Sequence, residues 1–274
     1  KLSTMQAHIA FIGGGNMASA LIGGLRRQGL PADHLHVVEP FAATRQQLLD
    51  AHGVHAIAAP DASVEQASLV VWAVKPQVFK EAAQQSAPFT RQALHLSVAA
   101  GIRTDSMVSW IQTERVVRAM PNTPALIGLG QTGLYARPGV SEDDRHLIEQ
   151  VMASTGQHLW VSQESLLDAV TAISGSGPAY VFYFIEAMSR AAVNMGLTTE
   201  QAHQLAIGTF CGAAELARRS PDAPDVLRER VTSKGGTTYA ALTRMASLNV
   251  AEHFEQAMEA ARLRAAELGD EFGR

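Results

Sequence analysis

The chain has 274 residues, of which 47% are hydrophobic and 18% charged, which is typical of a folded globular protein rather than a disordered one. Its net charge is −4 with no basic run, which argues against a nucleic-acid partner. Cys211 is the only cysteine and no apolar run approaches the roughly 18 residues of a membrane helix, so we expect a cytoplasmic protein with no disulfide, secretion signal or membrane contact.

The most informative stretch lies near the start of the chain. Apolar residues 9–12 lead into a glycine-rich turn, and an amphipathic segment follows over about residues 16–27. The turn has the form G-x-G-x-x-A of a dinucleotide-binding strand–turn–helix. Gly13 permits the tight turn, Gly15 lets the backbone approach a pyrophosphate, and Ala18 lets the helix pack close to the strand. The free N–H groups and dipole of the helix N-terminus favour the phosphates.

The next 150 or so residues alternate short apolar segments with helical ones. Several of the apolar segments have no polar face, which is typical of parallel strands covered by helices on both sides. We predict strands at 8–13, 36–39, 54–57, 69–74, 94–98, 115–119, 131–136 and 158–161, with helices between them, for example at 42–51, 78–85 and 141–154. The predicted fold class is α/β, an N-terminal Rossmann-like, doubly wound parallel sheet.

Three segments follow consecutive predicted strands, at 73–77, 97–101 and 120–124. Small residues and prolines at strand ends can form a backbone wall against a flat ring, and a doubly wound fold binds its ligand at that edge. Ordinary loop chemistry explains any one segment equally well. All three together favour a nucleotide cleft.

After about residue 163 the pattern becomes helix after helix, at 166–173, 179–195, 199–219, 223–231, 237–245 and 250–268. Residues 180–185 are apolar all round, and such a helix must be buried on every side. We expect an all-helical dimerisation domain with this segment at a subunit interface. The alternative is a central helix wrapped by its own domain.

Two glycine-rich segments interrupt the helical half. The first, residues 174–180, carries two glycines and a proline, which indicates either a close backbone approach or a helix crossing. It lacks the G-x-S-x-G pattern and a partnering Asp and His, so we exclude a hydrolase. The second, residues 232–238, places two threonines after two glycines at a helix start, which suits either a carboxylate site or an ordinary N-cap. No histidine pair has the H-E-x-x-H spacing, so we expect no metal site.

Six motifs in one order make the chain resemble the pyrroline-5-carboxylate reductase family over about residues 8–260: F-I-G-G-G-N-M-A, A-V-K-P-Q, S-V-A-A-G, M-P-N-T-P, S-G-S-G-P-A-Y and T-S-K-G-G-T-T. The resemblance implies an enzyme that makes L-proline by reducing the cyclic imine 1-pyrroline-5-carboxylate with NADPH or NADH. It also implies a homodimer paired through the helical domain, and in some members a ring of dimers. On this basis we expect a dinucleotide-binding domain at 5–163 and a helical substrate-binding and dimerisation domain at 164–274.

The expected site residues fall into two sets. The cofactor-binding set is Ile12, Gly13, Gly14, Gly15, Asn16, Met17, Glu39, Ala73, Val74, Lys75, Pro76, Val98, Ala99 and Ala100. The substrate-binding set is Glu164, Arg230, Ser233, Gly235, Gly236, Thr237 and Thr238. The resemblance supplies Glu164, Arg230 and the two threonines, although the family often has a small amide at the position of Arg230.

Thr238 is the expected catalytic residue, as a hydrogen-bond partner of the ring nitrogen. It need not be a strong acid, because an already protonated imine is the better hydride acceptor, so the protein mainly supplies orientation and electrostatics. A hydroxyacid dehydrogenase is a rival hypothesis, and Lys234, the only lysine after Lys80, would then be the acid–base group. A redox-sensing regulator that binds NADPH without turnover is another, and the intact anion turn argues against it.

Glu39 ends the second predicted strand and raises the question of cofactor choice. A carboxylate there usually accepts hydrogen bonds from the adenosine ribose and repels the 2′-phosphate of NADPH. The resemblance points towards NADPH, and Arg45 is a cation that could offset the repulsion. We predict that NADH is used well and that any NADPH preference is small. In the alternative, Pro40 turns the chain, Glu39 points to solvent, and cofactor choice is unaffected.

Overall fold

A computed structural model describes residues 6–273 of the chain. The predicted first domain begins at Met5, which lies outside these residues. Eight strands form one sheet: β1 (Ile9–Ile12), β2 (Leu35–Val38), β3 (Ala56–Ile57), β4 (Leu69–Trp72), β5 (Leu94–Ser97), β6 (Val116–Met120), β7 (Gly130–Ala136) and β8 (Gly156–Trp160). Six helices accompany them: α1 (Asn16–Arg27), α2 (Ala42–His52), α3 (Pro76–Thr90), α4 (Thr104–Ile111), α5 (Glu142–Ala153) and α6 (Leu166–Val170).

The strand order is β3-β2-β1-β4-β5-β6-β7-β8. Strands β1 to β6 are parallel, β7 runs antiparallel to β6, and β8 runs parallel to β7. Strands β2 and β3 extend the sheet on one side of β1, and β4 to β8 extend it on the other, so the direction of strand order reverses between β1 and β4. In an open α/β sheet this topological switch point has a crevice outside the carboxyl ends of the strands, where ligands bind. The predicted doubly wound sheet is confirmed.

Apolar side chains fill both faces of the sheet. One cluster includes Phe11, Leu21 and Leu96, and a second, on the opposite face, includes Trp72 and Phe79. Every residue of β1 and β4 is buried, which explains why these strands show no polar alternation in the sequence. The sheet is therefore a rigid platform from which the loops at its carboxyl edge project.

Five further helices follow: α7 (Gly177–Asn194), α8 (Thr199–Arg219), α9 (Pro224–Arg230), α10 (Thr237–Ser247) and α11 (Val250–Phe272). The helical second half is thereby confirmed. Between α6 and α7 lies one π-helical turn, Thr171–Gly175. The sequence predicted the end of a helix at residue 173 and a glycine-rich interruption from residue 174. Helix α4 lies between two predicted strands, where a helix was expected but given no bounds, and its first residues Thr104 and Asp105 are typical of a helix start.

The chain divides into two compact units. One takes the chain up to Ser176 together with the segment from Ala261 onward, and the other is Gly177–Ala260. In the first unit the end of α11 is held by Arg103, whose guanidinium contacts the Asp270 carboxylate at 2.6 Å and the Ala266 carbonyl at 3.0 Å. The predicted boundary between residues 163 and 164 stays a prediction.

In the second unit α7 is mostly open to solvent in the single chain. Phe182 and Tyr183 are 65% and 68% exposed, while the Phe184 ring packs against Phe254 with centroids 5.4 Å apart. A monomer therefore does not wrap this helix, and exposed aromatic side chains of this kind favour a protein interface. In the range 6–273, no helix combines the length and the apolar character needed to cross a membrane.

Candidate active site

The glycine-rich turn follows β1 at the switch point of the sheet. Gly13 has a φ of +97°, and its N–H donates to the Val38 carbonyl at 2.8 Å. A Cβ at this position would lie only 2.8 Å from the Ala73 carbonyl carbon, at the start of the loop after β4. Only glycine satisfies both the dihedral angle and this close approach.

Gly15 is the N-cap of α1, and a Cβ placed on it would meet no atom within 4 Å. Gly15 and Asn16 are exposed, and the first turn of α1 contains no acidic residue. The N-terminus of α1 therefore presents backbone N–H groups and the positive end of the helix dipole to open space. This arrangement fits the pyrophosphate of a dinucleotide.

Glu39 lies beside this turn and is only 7% exposed. Its carboxylate accepts hydrogen bonds from the Gly14 N–H at 3.4 Å and from the Phe41 N–H at 3.2 Å. The alternative that Glu39 points to solvent is therefore wrong. Arg45 donates to the carbonyl oxygens of Glu39 and Pro40, at 2.9 and 2.8 Å, so its charge also lies at the end of β2.

The loops after β4 and β5 lie at the same edge as the glycine-rich turn. The Ala73 N–H donates to the Ile12 carbonyl at 2.8 Å, and the Val98 N–H donates to the Trp72 carbonyl at 3.0 Å. Lys75 is the exposed N-cap of α3, and Pro76 is its first residue. The parallel register therefore brings the predicted cofactor-binding segments 12–17, 73–76 and 98–100 to one edge.

Glu164 caps a helix in the first unit. Its carboxylate accepts hydrogen bonds from the Thr104 N–H at 2.8 Å and the Thr104 hydroxyl at 2.7 Å, at the N-terminus of α4. The Arg118 guanidinium lies 3.9 Å from the same carboxylate. Glu164 thus contacts two partner residues within its own unit, Thr104 and Arg118, and its predicted role in substrate binding stays a prediction.

Arg118 was missed by sequence reasoning. It lies on β6 with a side chain 6% exposed, and burial lowers its pKa while Glu164 and Asp168 oppose that effect. Burial in the same cluster raises the pKa of Asp168, an effect that the charge of Arg118 opposes. The sequence does contain a signal for this residue, since Arg118 lies inside the apolar run V-V-R-A-M of β6. An arginine in a buried strand indicates a charged partner nearby, because a buried cation requires one.

The second predicted cluster, residues 233–238, lies in the second unit. Gly235 has a φ of +77°, Gly236 is the N-cap of α10, and Thr237 and Thr238 are its first two residues. A Cβ on Gly236 would lie 2.6 Å from the Ser233 hydroxyl oxygen. The first turn of α10 has no acidic residue and no side-chain cap, so its N–H groups and the threonine hydroxyls suit a carboxylate.

Arg230 ends α9, and its guanidinium contacts the Asp222 carboxylate at 2.7 Å. That pair partly neutralises the charge that a substrate carboxylate would meet, which weakens the expectation drawn for Arg230 from the resemblance. Lys234 is exposed. Among residues 6–273, no three His, Cys, Asp or Glu side chains gather into a group that could hold a metal ion.

Comparisons with known proteins match both halves of the chain. Residues 164–268 match the family model described as pyrroline-5-carboxylate reductase dimerisation. The pyrroline-5-carboxylate reductase of Pseudomonas aeruginosa is 43% identical over 267 residues, which cover 97% of this chain and 98% of that one. The chain belongs to the pyrroline-5-carboxylate reductase family. The reductase of Pisum sativum is 36% identical and 85% of each chain is covered.

Solved structures of the pyrroline-5-carboxylate reductase family agree over the whole length. The reductase from Coxiella burnetii superposes with a TM-score of 0.89 at 37% identity, covering 96% of this chain and 98% of that one. The Plasmodium falciparum reductase, solved with NADP bound, gives 0.85 at 26% identity, covering 97% and 100%. Residues 8–101 also match the family model described as NADP oxidoreductase coenzyme F420-dependent.

Membership in the pyrroline-5-carboxylate reductase family decides between the three functional hypotheses. The chain is an NAD(P)-dependent oxidoreductase of C=N bonds, uses NADPH or NADH, and carries a domain for homodimerisation. The hydroxyacid dehydrogenase and the redox regulator are thereby set aside. A ketol-acid reductoisomerase, with a TM-score of 0.64 at 14% identity over 97% of this chain and 86% of that one, shares the fold alone.

Proposed function

We propose that this chain reduces 1-pyrroline-5-carboxylate to L-proline with the two residue clusters described above. A bound reduced nicotinamide nucleotide supplies the hydride. The observation that carries the proposal is the glycine-rich turn at the switch point, where Gly13 meets the backbone of Ala73 and Gly15 faces open space. Family membership over 97% of the chain supports the same reaction.

The first cluster binds and orients the nucleotide. The N–H groups at the start of α1, from Gly15, Asn16 and Met17, hold the pyrophosphate. Ile12, Gly13 and Gly14 shape the turn, and Glu39 faces the adenosine ribose. Ala73, Val74, Lys75 and Pro76 after β4, with Val98, Ala99 and Ala100 after β5, line the remaining length of the nucleotide.

The second cluster binds the imine acid. Its carboxylate is held by the N–H groups and hydroxyls of Ser233, Gly235, Gly236 and Thr237. Thr238 hydrogen-bonds the ring nitrogen and keeps the C=N carbon oriented. Arg230 and Glu164 complete the set more weakly, because each already has a charged or polar partner of its own.

The proposal also covers the higher assembly of the enzyme and its location in the cell. We infer that dimers associate further into a ring, as some family members do, and that the enzyme is cytoplasmic, in keeping with its one cysteine. Nucleotide binding is assigned to residues 5–163, and substrate binding with dimerisation to 164–274. The exposed aromatic side chains of α7 support the second assignment.

A steady-state assay tests the proposal. The full chain is incubated with 1-pyrroline-5-carboxylate and either NADPH or NADH, and the loss of reduced-nicotinamide absorbance is followed. A 2-oxo acid replaces the imine as the control substrate. We expect turnover with the imine and none with the 2-oxo acid, whereas the reverse would favour a hydroxyacid dehydrogenase.

A further inference from the structure

Asn122 joins two segments of the first unit that are 52 residues apart in sequence. Its Nδ2 donates to the Ser174 carbonyl at 3.1 Å, and its Oδ1 accepts from the Gln131 N–H at 2.9 Å. A carbonyl requires a donor and an N–H requires an acceptor, so this pair of partners fixes the orientation of the amide. Aspartate and leucine have the same branching as asparagine, but an ionised aspartate has no donor for the Ser174 carbonyl, and leucine has neither a donor nor an acceptor.

The need for this contact arises from the sequence around Ser174. An α-helix would pair the Ser174 carbonyl with the N–H of residue 178, and Pro178 has no N–H. The chain forms a π-helical turn at this place, with the Ser176 N–H donating to the Thr171 carbonyl at 2.8 Å. The Asn122 amide supplies a donor where the proline has removed one. π-Helical turns of this kind occur frequently at functional sites.

A second contact brings the same two segments together. A Cβ on Gly175 would lie 2.7 Å from the Met120 methyl carbon, so the tip of the Met120 side chain occupies the space beside Gly175. Met120 ends β6, which runs parallel to β1, β4 and β5. The Met120–Asn122 segment therefore lies at the carboxyl edge of the sheet, the edge that carries the glycine-rich turn.

We propose that Asn122 is a positioning residue for imine reduction, which fixes the π-helical turn Thr171–Gly175 to the cofactor edge of the sheet. It acts through Ser174 and Gln131 and contacts no reacting atom. This inference rests on the proposed function, because the edge in question is the one assigned to the nucleotide. Loss of the amide leaves the turn free to move, so turnover falls while the glycine-rich turn still binds nucleotide.

The test replaces Asn122 with Asp. The Asp side chain can still accept from the Gln131 N–H, but its second oxygen faces the Ser174 carbonyl. When ionised it repels that carbonyl, and when protonated it donates to it and restores the contact. The nearby carbonyl and partial burial should raise the pKa of this Asp above the usual 3.9 or so.

We measure kcat, KM for each substrate, and the Kd of the oxidised nucleotide for the full-length parent and variants across a pH series. For Asn122→Asp, the kcat ratio of variant to parent should be about 0.1 near pH 8 and should rise several-fold towards about pH 5. Asn122→Ala should show a similar loss at every pH. Both should bind the nucleotide within about twofold of the parent.

The ionisable groups that the parent and both variants share, among them Arg118 on β6, Tyr135 on β7 and Asp168 on α6, contribute equally to the numerator and the denominator of this ratio. The matched control is Gln131→Ala, which keeps the backbone N–H that donates to Asn122 and should retain parental kinetics. Thermal unfolding of each variant identifies any that fails to fold.

The outcomes separate the two claims. A parent that does not reduce the imine overturns the proposed function. An active parent with a pH-independent Asn122→Asp ratio, or with Asn122→Ala within twofold of its kcat, overturns the role of Asn122. If Asn122→Ala does not fold, the pH dependence of the kcat ratio for Asn122→Asp still tests the role of Asn122. Recovery of the Asp variant at low pH, without recovery of the Ala variant, supports the inference.

Discussion

The carboxylate of Glu39 accepts a hydrogen bond from the N–H of Gly14, so a buried acidic group lies directly against the glycine-rich turn. The Arg45 guanidinium lies at the same strand end, on the carbonyl oxygens of Glu39 and Pro40. The proposed nucleotide site thus has two opposite charges at the end of β2, where the ribose or a 2′-phosphate is expected. This arrangement leads to a quantitative prediction for cofactor choice.

We predict that the parent enzyme uses NADH well, with at most a small preference for NADPH. Glu39→Ser should improve kcat/KM for NADPH over that for NADH by roughly tenfold, or about 1.4 kcal/mol, because it removes charge repulsion at the 2′-phosphate. The measurement is kcat/KM with both nucleotides, supported by the Kd of NADP⁺ and NAD⁺. Glu65→Ser, an exposed acidic residue elsewhere in the first unit, is the control. A strong NADPH preference that Glu39→Ser leaves unchanged would contradict the prediction.

A second prediction concerns Thr238 at the start of α10. Thr238→Ala should lower kcat/KM for the imine by about 10- to 150-fold, since a hydrogen bond to a charged group contributes roughly 1.5–3 kcal/mol. Nucleotide affinity should stay within about twofold. Thr199→Ala removes the first threonine of α8 and should leave the kinetics unchanged. Parental kinetics for Thr238→Ala would remove this residue from the site.

A third prediction concerns assembly through α7. Phe182 is exposed in the single chain, whereas Phe184 packs against Phe254, so Phe182 is the better probe of the dimer. Phe182→Glu should weaken the dimer by about 2 kcal/mol or more, because a charge enters an apolar contact. Sedimentation velocity over a concentration series measures the shift towards monomers. Leu159→Glu, at an exposed position of β8, should leave the dimer intact. An unchanged dimer in both variants would place the interface elsewhere.

A fourth prediction concerns acid stability and His95. Trp72 Nε1–H donates to His95 Nδ1 at 3.0 Å, and His95 Nε2 lies 3.2 Å from the Thr90 carbonyl, which fits a neutral ring protonated on Nε2. Burial lowers the pKa of His95 to about 4, from its ordinary value of 6.5. The unfolded chain therefore binds the proton first as pH falls. The stability from this residue is complete above about pH 6.5 and is lost towards about pH 4, by up to about 3 kcal/mol.

Urea unfolding at pH 7 and near pH 4.5 measures this effect. His95→Gln should be less stable than the parent at pH 7 and should lose less free energy of unfolding on acidification. The difference between the two proteins isolates His95, because the other titrating groups are shared. Equal losses in both would show that the ring is not held neutral.

The sequence predicted those features that depend on local patterning. Gly13, Gly15 and the apolar run before them gave the turn and its place in the sheet, because a tight turn at a strand end admits few residue types. The contact that caps the N-terminus of α4 was missed, since it comes from Glu164, 60 residues away in sequence. Long-range contacts of this kind leave no local pattern.

The partners of Asn122 and those of the buried Arg118 were missed for the same reason. Asn122 was recognised within M-P-N-T-P, but its partners Ser174 and Gln131 are set by the tertiary fold. Pro178 signals that the Ser174 carbonyl lacks a helical donor, and the sequence cannot say which side chain supplies one. Burial of Glu39 likewise depends on how β2 meets the turn after β1.

The most direct test of the account follows the hydride itself. The enzyme is incubated with 1-pyrroline-5-carboxylate and a reduced nicotinamide nucleotide that carries deuterium at the transferred position, and the product is examined by mass spectrometry and NMR. We predict L-proline with a single deuterium on the ring carbon that was part of the C=N bond, and one equivalent of oxidised nucleotide. Unlabelled proline, or oxidised nucleotide without proline, would contradict the account.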